Sequence, residues 1–145
     1  MKTQWLTVPL LALCAALPVW AAECPAVLQG ALPELRGKGQ VDLCERYGGK
    51  PLVVINTASY CGFAPQFEGL EATYKEYHGQ GLEMLGVPSH DFKQEDADSE
   101  KTAKVGYANY GVTFTITQEK AVRGKDAIPP CVELGRLSSA PQWIV

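Results

Sequence analysis

Five cysteines and two histidines are the residues of this 145-residue sequence with the widest chemistry open to them. Cys14, Cys24, Cys44, Cys61 and Cys131 are far apart, so the sequence has neither the close pairs of a structural zinc site nor a C-x-x-C disulfide exchanger. His78 and His90 have no paired ligand spacing, and no metal is expected. Cys61 is the best-placed nucleophile. It follows the β-branched run Leu52-Val53-Val54-Ile55-Asn56 and precedes Phe67, Leu70, Tyr74 and Tyr77, which recur at helical spacing. A thiol between a strand end and a helix start meets unsatisfied N–H groups and the positive end of the helix dipole, both of which favour an anion. The thiolate is the reactive form of cysteine, and open α/β sheets bind ligands at this rim. On placement alone, Cys61 is either that nucleophile or an inert buried thiol.

The elements that must position Cys61 can be read outward from it. The run from Leu52 predicts a central strand buried on both faces. Phe67 to Tyr77 predicts an amphipathic helix ended by Gly79 and Gly81, with Glu71 and Lys75 paired four apart on another side. His78 is expected to meet the last carbonyls of that helix. Leu82-Glu83-Met84-Leu85-Gly86-Val87 predicts a second strand running to Pro88, giving a right-handed βαβ unit with parallel strands. Ser99 is a cap for a further helix through about residue 108. Val112 to Thr117 predicts a strand, and Arg123-Gly124-Lys125-Asp126 a turn.

Composition bounds the rest. With 46% apolar and 20% charged residues, the chain has the balance of one globular domain of the usual ~100–200 residues, not of a disordered or fibrous protein. Its formal charge is −3 and it has no basic run, so neither nucleic acid nor an anionic membrane surface is an expected partner. Lys2, the uncharged run Leu6 to Trp20, and the small residues at the −3 and −1 positions, Val19 and Ala21, read as a secretory signal peptide over residues 1–21. The mature domain is then 22–145, exported to the periplasm and without a membrane anchor after cleavage. The alternatives are an anchor left in place and a lipoprotein through Cys14, the latter opposed by the bulky Leu13. Export predicts a Cys24–Cys44 disulfide across the turn-prone segment around Gly37-Lys38-Gly39, the alternative being two separate buried thiols.

The stretch from Asn56 through Cys61-Gly62-Phe63-Ala64-Pro65-Gln66-Phe67-Glu68 to Glu71 resembles the active-site segment of the glutathione peroxidase family. The resemblance continues through Leu85-Gly86-Val87-Pro88-Ser89-His90-Asp91-Phe92 with Gln94-Glu95, and through Asn109-Tyr110-Gly111-Val112-Thr113-Phe114, covering roughly residues 40 to 143. It implies an α/β, thioredoxin-like fold with a central mixed sheet flanked by helices, and thiol-dependent reduction of hydrogen peroxide or organic hydroperoxides. Carried over by motif, Cys61 is the peroxidatic residue, Gln94 the amide donor, and Trp143 the indole donor. No cofactor is implied beyond a thiol co-substrate, glutathione or a thioredoxin-like reductant. His90 and Asp91 receive no catalytic role.

Two departures from the family pattern shape the expectation. After Trp143 the sequence has Ile144 and Val145 where the family has an Asn and an aromatic residue, so the fourth catalytic position, the last strand pair and the final helix are expected to be missing. Gly106 stands where thioredoxin-dependent relatives often carry a resolving Cys, and Ser89 replaces another Cys, which points to resolution by an external thiol. The alternative to a peroxidase is a catalytically silent thioredoxin-like remnant or interaction module. A third reading, a thiol–disulfide exchanger, is opposed by the absence of C-x-x-C.

Overall fold

A computed structural model describes residues 23–138. Residues 1–21, read above as a signal peptide, and Trp143 lie outside the described residues. After a 3-10 turn at Ala26–Leu28 come β1 (Ala31–Pro33), β2 (Gln40–Asp42), α1 (Leu43–Tyr47), β3 (Leu52–Thr57), α2 (Gln66–Tyr77) and β4 (Glu83–Pro88). They are followed by α3 (Ser99–Ala103), which continues as a wider π-helical stretch over Lys104–Asn109, then β5 (Thr115–Ile116) and α4 (Pro129–Leu137).

Strands β3, β4 and β5 form a parallel sheet in that order, with Leu52 opposite Glu83 and Leu85 opposite Thr115. β1 pairs antiparallel with β2, and its continuation runs antiparallel to the end of β5. There Glu34 bridges Thr117, the Leu35 amide donates to the Ile116 carbonyl at 2.9 Å, and the Gln118 amide donates to Pro33 at 2.8 Å. The sheet is therefore mixed, as expected for a thioredoxin-like fold.

Side chains alternate across a strand, and β4 uses both faces. Leu85 and Val87 join Leu28, Leu43, Tyr47 and Ile128 on one side, while Met84 joins Ile55, Phe67, Tyr74 and Phe114 on the other. Helices thus cover the sheet on both faces, the layered solution for a parallel sheet. The strand buried throughout is β4, not β3. Burial on both edges belongs to the strand between two others, and Val53 of β3 is left 37% exposed.

Capping explains several boundaries. The Asp42 carboxylate accepts from the Glu45 amide to start α1, and Asp98 from the Glu100 amide to start α3, both at 2.9 Å. α4 opens on Pro129-Pro130, residues without an amide proton at positions where a helix needs none. Gly81, at φ +99°, turns the chain out of the helical region into β4.

The expected strand over 112–117 is shorter. Only Thr115–Ile116 pairs with β4, because Thr113 is drawn to a carboxylate on α2. That carboxylate, Glu71, does pair with Lys75 at 3.0 Å, yet it is 4% exposed and lies on the buried stripe with Phe67 and Tyr74. The His78 ring reaches past the helix end to the Leu82 carbonyl, 3.3 Å away, and packs against the Tyr74 ring. Cys24 and Cys44 are joined as a disulfide with Cα atoms 5.8 Å apart, fastening the N-terminal arm to α1.

Candidate active site

Strand β3 delivers the chain to the rim of the sheet at Thr57, and four residues later Cys61 stands in an irregular turn. Helix α2 begins only at Gln66. The intervening residues wind as successive tight turns: the Ala64 amide donates to the Cys61 carbonyl at 3.0 Å, Gln66 to Phe63 at 2.8 Å, and Phe67 to Ala64 at 3.0 Å. The first amides of α2 are thereby occupied by the turn, and the expected direct contact between the helix start and the thiol is displaced by one turn. Nearer donors exist. The amides of Gly62 and Phe63, which directly follow the thiol, have no backbone acceptor among the described residues.

Cys61 is partly buried. It borders a hollow of about 20 Å³ walled by Ile55, Phe63, Phe67 and Leu70. That volume accommodates a water-sized group, and a peroxide oxygen is of that size. Mostly apolar walls leave a ligand there few polar partners besides the sulfur and the turn's own backbone.

The second loop of the site is bound to the first by consecutive residues. The Tyr60 amide donates to the Gln94 carbonyl at 2.8 Å. The Ser59 amide donates to Glu95 Oε2 at 3.2 Å, and the Ser59 hydroxyl donates to Glu95 Oε1. Glu95 Oε1 also accepts from the Thr102 hydroxyl and from the Asp96 amide, each at 2.9 Å. Further out, the Tyr60 hydroxyl donates to Asp96, which Lys101 approaches at 3.3 Å. The hydrogen bond to Asp96 holds the Tyr60 phenol above its usual range, and the same bond holds the Asp96 carboxyl below its own.

Gln94 is thus brought to the Cys61 turn through its main chain. Its carboxamide is half-buried and makes no hydrogen bond among the described residues. Trp143 lies outside the described residues. Neither Glu95 nor Thr102 emerges from sequence patterning. Glu95 follows Gln94 in the segment quoted above, but a solvated loop acid and a buried acceptor look alike until the loop is closed.

The neighbouring acid serves the backbone and the histidine a surface carboxylate. Asp91 accepts from the amides of Val122 at 2.7 Å and Arg123 at 3.0 Å, and His90 lies 3.3 Å from Glu119. Burial pushes the Asp91 carboxyl up, but the two amides outweigh it and hold the group below its ordinary range. Cys131, on α4, is half-buried in a separate cavity of about 230 Å³ with Asn56 and Phe92. Burial, aided by the charge of Asp91, pushes its thiol up to about 11. Gly106 packs so closely on the core that a Cβ there would sit 2.7 Å from Ile116 Cδ1. Among the described residues, no group of three or more His, Cys, Asp or Glu side chains is arranged to hold a metal ion, and no helix is long and apolar enough to cross a membrane.

The sequence matches the family model for glutathione peroxidase over residues 33–131. The chain belongs to the glutathione peroxidase family. It is 51% identical over 103 residues to a glutathione peroxidase of Lactococcus lactis subsp. cremoris, covering 67% of this chain and 66% of that protein. It is 41% identical over 93 residues to the glutathione peroxidase homolog BsaA of Staphylococcus aureus strain MW2, covering 63% of this chain and 59% of that protein. The chain thus spans somewhat under two-thirds of the length of these curated relatives. Among solved structures, the apo form of Trgpx aligns at a TM-score of 0.56 and 28% identity, covering 78% of this chain and 65% of that one. T. cruzi GPX1 aligns at 0.52 and 23%, covering 81% and 74%, which speaks to the fold.

Proposed function

We propose that this family member is a thiol peroxidase that reduces hydrogen peroxide or a small organic hydroperoxide through Cys61. The observation that carries the reading is the placement of the Cys61 thiol at a water-sized hollow, in a turn bonded by successive residues to the loop bearing Gln94. The thiolate attacks one peroxide oxygen, the O–O bond breaks, and the leaving alkoxide or hydroxide takes up a proton; Cys61 becomes a sulfenic acid. Backbone amides after the thiol, the Gln94 amide and, in this reading, the Trp143 indole N–H stabilise the charge that develops on the leaving oxygen. An external thiol then condenses with the sulfenic acid, releasing water and leaving a mixed disulfide. A second thiol releases Cys61 and departs as the oxidised disulfide. Glutathione and a thioredoxin-like protein are both chemically competent reductants. An external donor fits the occupied Gly106 position and the buried, poorly ionised Cys131 thiol.

We further propose that residues 1–21 direct export to the periplasm, a reading supported by the Cys24–Cys44 disulfide, a bond that persists in oxidising compartments. The test of function is stopped-flow oxidation of the reduced mature chain by hydrogen peroxide, with sulfenic acid trapped and located by mass spectrometry. Oxidation at Cys61 orders of magnitude faster than free cysteine, abolished in Cys61→Ser, supports the peroxidase. A folded chain that oxidises at the rate of free cysteine is instead a silent thioredoxin-like module.

A further inference from the structure

We propose that Glu95 is a positioning residue for peroxide reduction, its buried carboxylate setting the Cys61 turn in register with the loop that carries Gln94. The inference rests on the reading of Cys61 as the peroxidatic thiol. Glu95 is 6% exposed and accepts four hydrogen bonds: two from Ser59, one from Thr102 and one from the Asp96 amide. No cation lies within ion-pair distance of it among the described residues; Lys93, two residues away, is exposed and makes no ion pair with it, and Lys101 engages Asp96. A carboxylate taken out of water without a counter-ion is held there only if its hydrogen bonds are complete, and an apolar pair would join two loops at less cost. What the carboxylate adds is geometry. Its two oxygens fix both the amide and the hydroxyl of Ser59, and the next residue along each loop makes the next rung, Tyr60 N–H to Gln94 carbonyl. Cys61 and Gln94 each lie within two residues of this ladder, and Thr102 anchors it to the first turn of α3.

Oxidation by peroxide and alkylation make different demands on such a turn. Alkylation needs only an accessible thiolate, whereas transfer of an oxygen atom needs the sulfur, the O–O axis and the donors in line. Loss of register is therefore expected to act on the first reaction alone, and misplacement on the order of 1 Å lowers rates by up to about 100-fold.

The experiment measures, for the full mature chain and its variants, the second-order rate of Cys61 oxidation by hydrogen peroxide and the rate of its alkylation by iodoacetamide, with circular dichroism for folding. Glu95→Gln is expected to stay folded, to alkylate within about twofold of the parent, and to oxidise about tenfold or more slowly. Ser59→Ala, a milder cut that keeps the Glu95 carboxylate, is expected to oxidise several-fold slowly with unchanged alkylation, and Ser59→Thr to restore the parental rate. Should Glu95→Gln not fold, the Ser59 pair decides. Parental oxidation in folded Glu95→Gln, or a proportional fall of both rates in every variant, overturns the positioning role. A parent that reacts with peroxide no faster than free cysteine overturns the peroxidase reading and this proposal together. A fast parent with insensitive variants overturns the proposal alone.

Discussion

Glu71→Ala tests whether one buried acid joins α2 to the segment that enters β5. The Glu71 carboxylate accepts from the Thr113 amide at 2.8 Å and the Thr113 hydroxyl at 2.7 Å, and it meets the Lys75 ammonium at 3.0 Å. Hydrogen bonds to a charged group contribute about 1.5–3 kcal/mol each. Thr113 is exposed, so water replaces part of what it loses; Lys75 is exposed as well, and its pair adds only a few tenths of a kcal/mol. Alanine also returns a few tenths through helix propensity. The net expectation is a loss of about 2 kcal/mol. In urea denaturation that is a midpoint lowered by about 1 M for a slope of about 2 kcal/mol per M. Lys75→Ala should lower stability by less than about 0.5 kcal/mol. The acid carries a pH signature as well. Burial raises the Glu71 carboxyl, but the two Thr113 bonds and Lys75 outweigh it and hold the group below its ordinary value. A depressed carboxyl stabilises above its unfolded pKa of about 4.3 and loses that contribution as pH falls through the folded value. The stability gap between parent and Glu71→Gln should accordingly be full above about pH 5.5 and shrink below about pH 4. A Glu71→Ala chain within about 0.5 kcal/mol of the parent, or a gap indifferent to acid, would refute the reasoning.

Three further outcomes follow from the same structure. Reducing the Cys24–Cys44 bridge, or replacing both cysteines by serine, should cost about 3 kcal/mol from the loop it closes, read as a lowered thermal midpoint under dithiothreitol. With its thiol pushed to about 11, Cys131 should be ionised in roughly one molecule in several thousand at pH 7.5, so peptide mapping after brief iodoacetamide treatment should find Cys61 modified well before Cys131. Gly106→Ala should destabilise modestly, by about 1–2 kcal/mol, since Ile116 Cδ1 must move to admit the methyl group; the double variant Gly106→Ala with Ile116→Val should recover part of that loss in the same urea assay.

The elements nearest Cys61 were legible because their signals are local. Five strand-like residues before the thiol and a 3.6-residue stripe after it are each visible in a short window, and both were found close to their observed bounds. Which strand lies in the middle is not local. β4 is buried because β3 and β5 flank it, and that order depends on partners some thirty residues away. α1 and α4 escaped notice for another reason. α1 is five residues long, and α4 leaves Val132, Leu134 and Leu137 exposed, so neither presents a clean stripe of buried positions. At the site, Cys61 and the Gln94 segment stood out by placement and motif and the helix start was read within one residue, but the tight turns that occupy its first amides were not legible, because they are defined by backbone hydrogen bonds and not by composition. The buried acids were the least legible part. Glu71 sits in a helical i, i+4 pattern with Lys75 that usually marks a solvated face, and Glu95 in a loop; the Thr113 donors to the first and the Ser59 donors to the second come from segments distant in sequence.

The antiparallel bridge between Glu34 and Thr117 also bears on how the chain comes to be folded. Every strand pairing of the main sheet is parallel and spans a helix, and this one joins the first strand to the last, so the outermost loop to close encloses nearly all the others. Contacts of such separation carry a large entropic cost before they return any enthalpy, and folding rates fall with mean contact separation. β1 can pair with β2 as soon as residue 42 has been made, but the junction of that pair with the main sheet waits for residue 117. During synthesis the βαβ unit that carries Cys61 is complete earlier, which makes the docking of the β1–β2 pair onto β5 a late event and the setting of the Cys61 turn an early one.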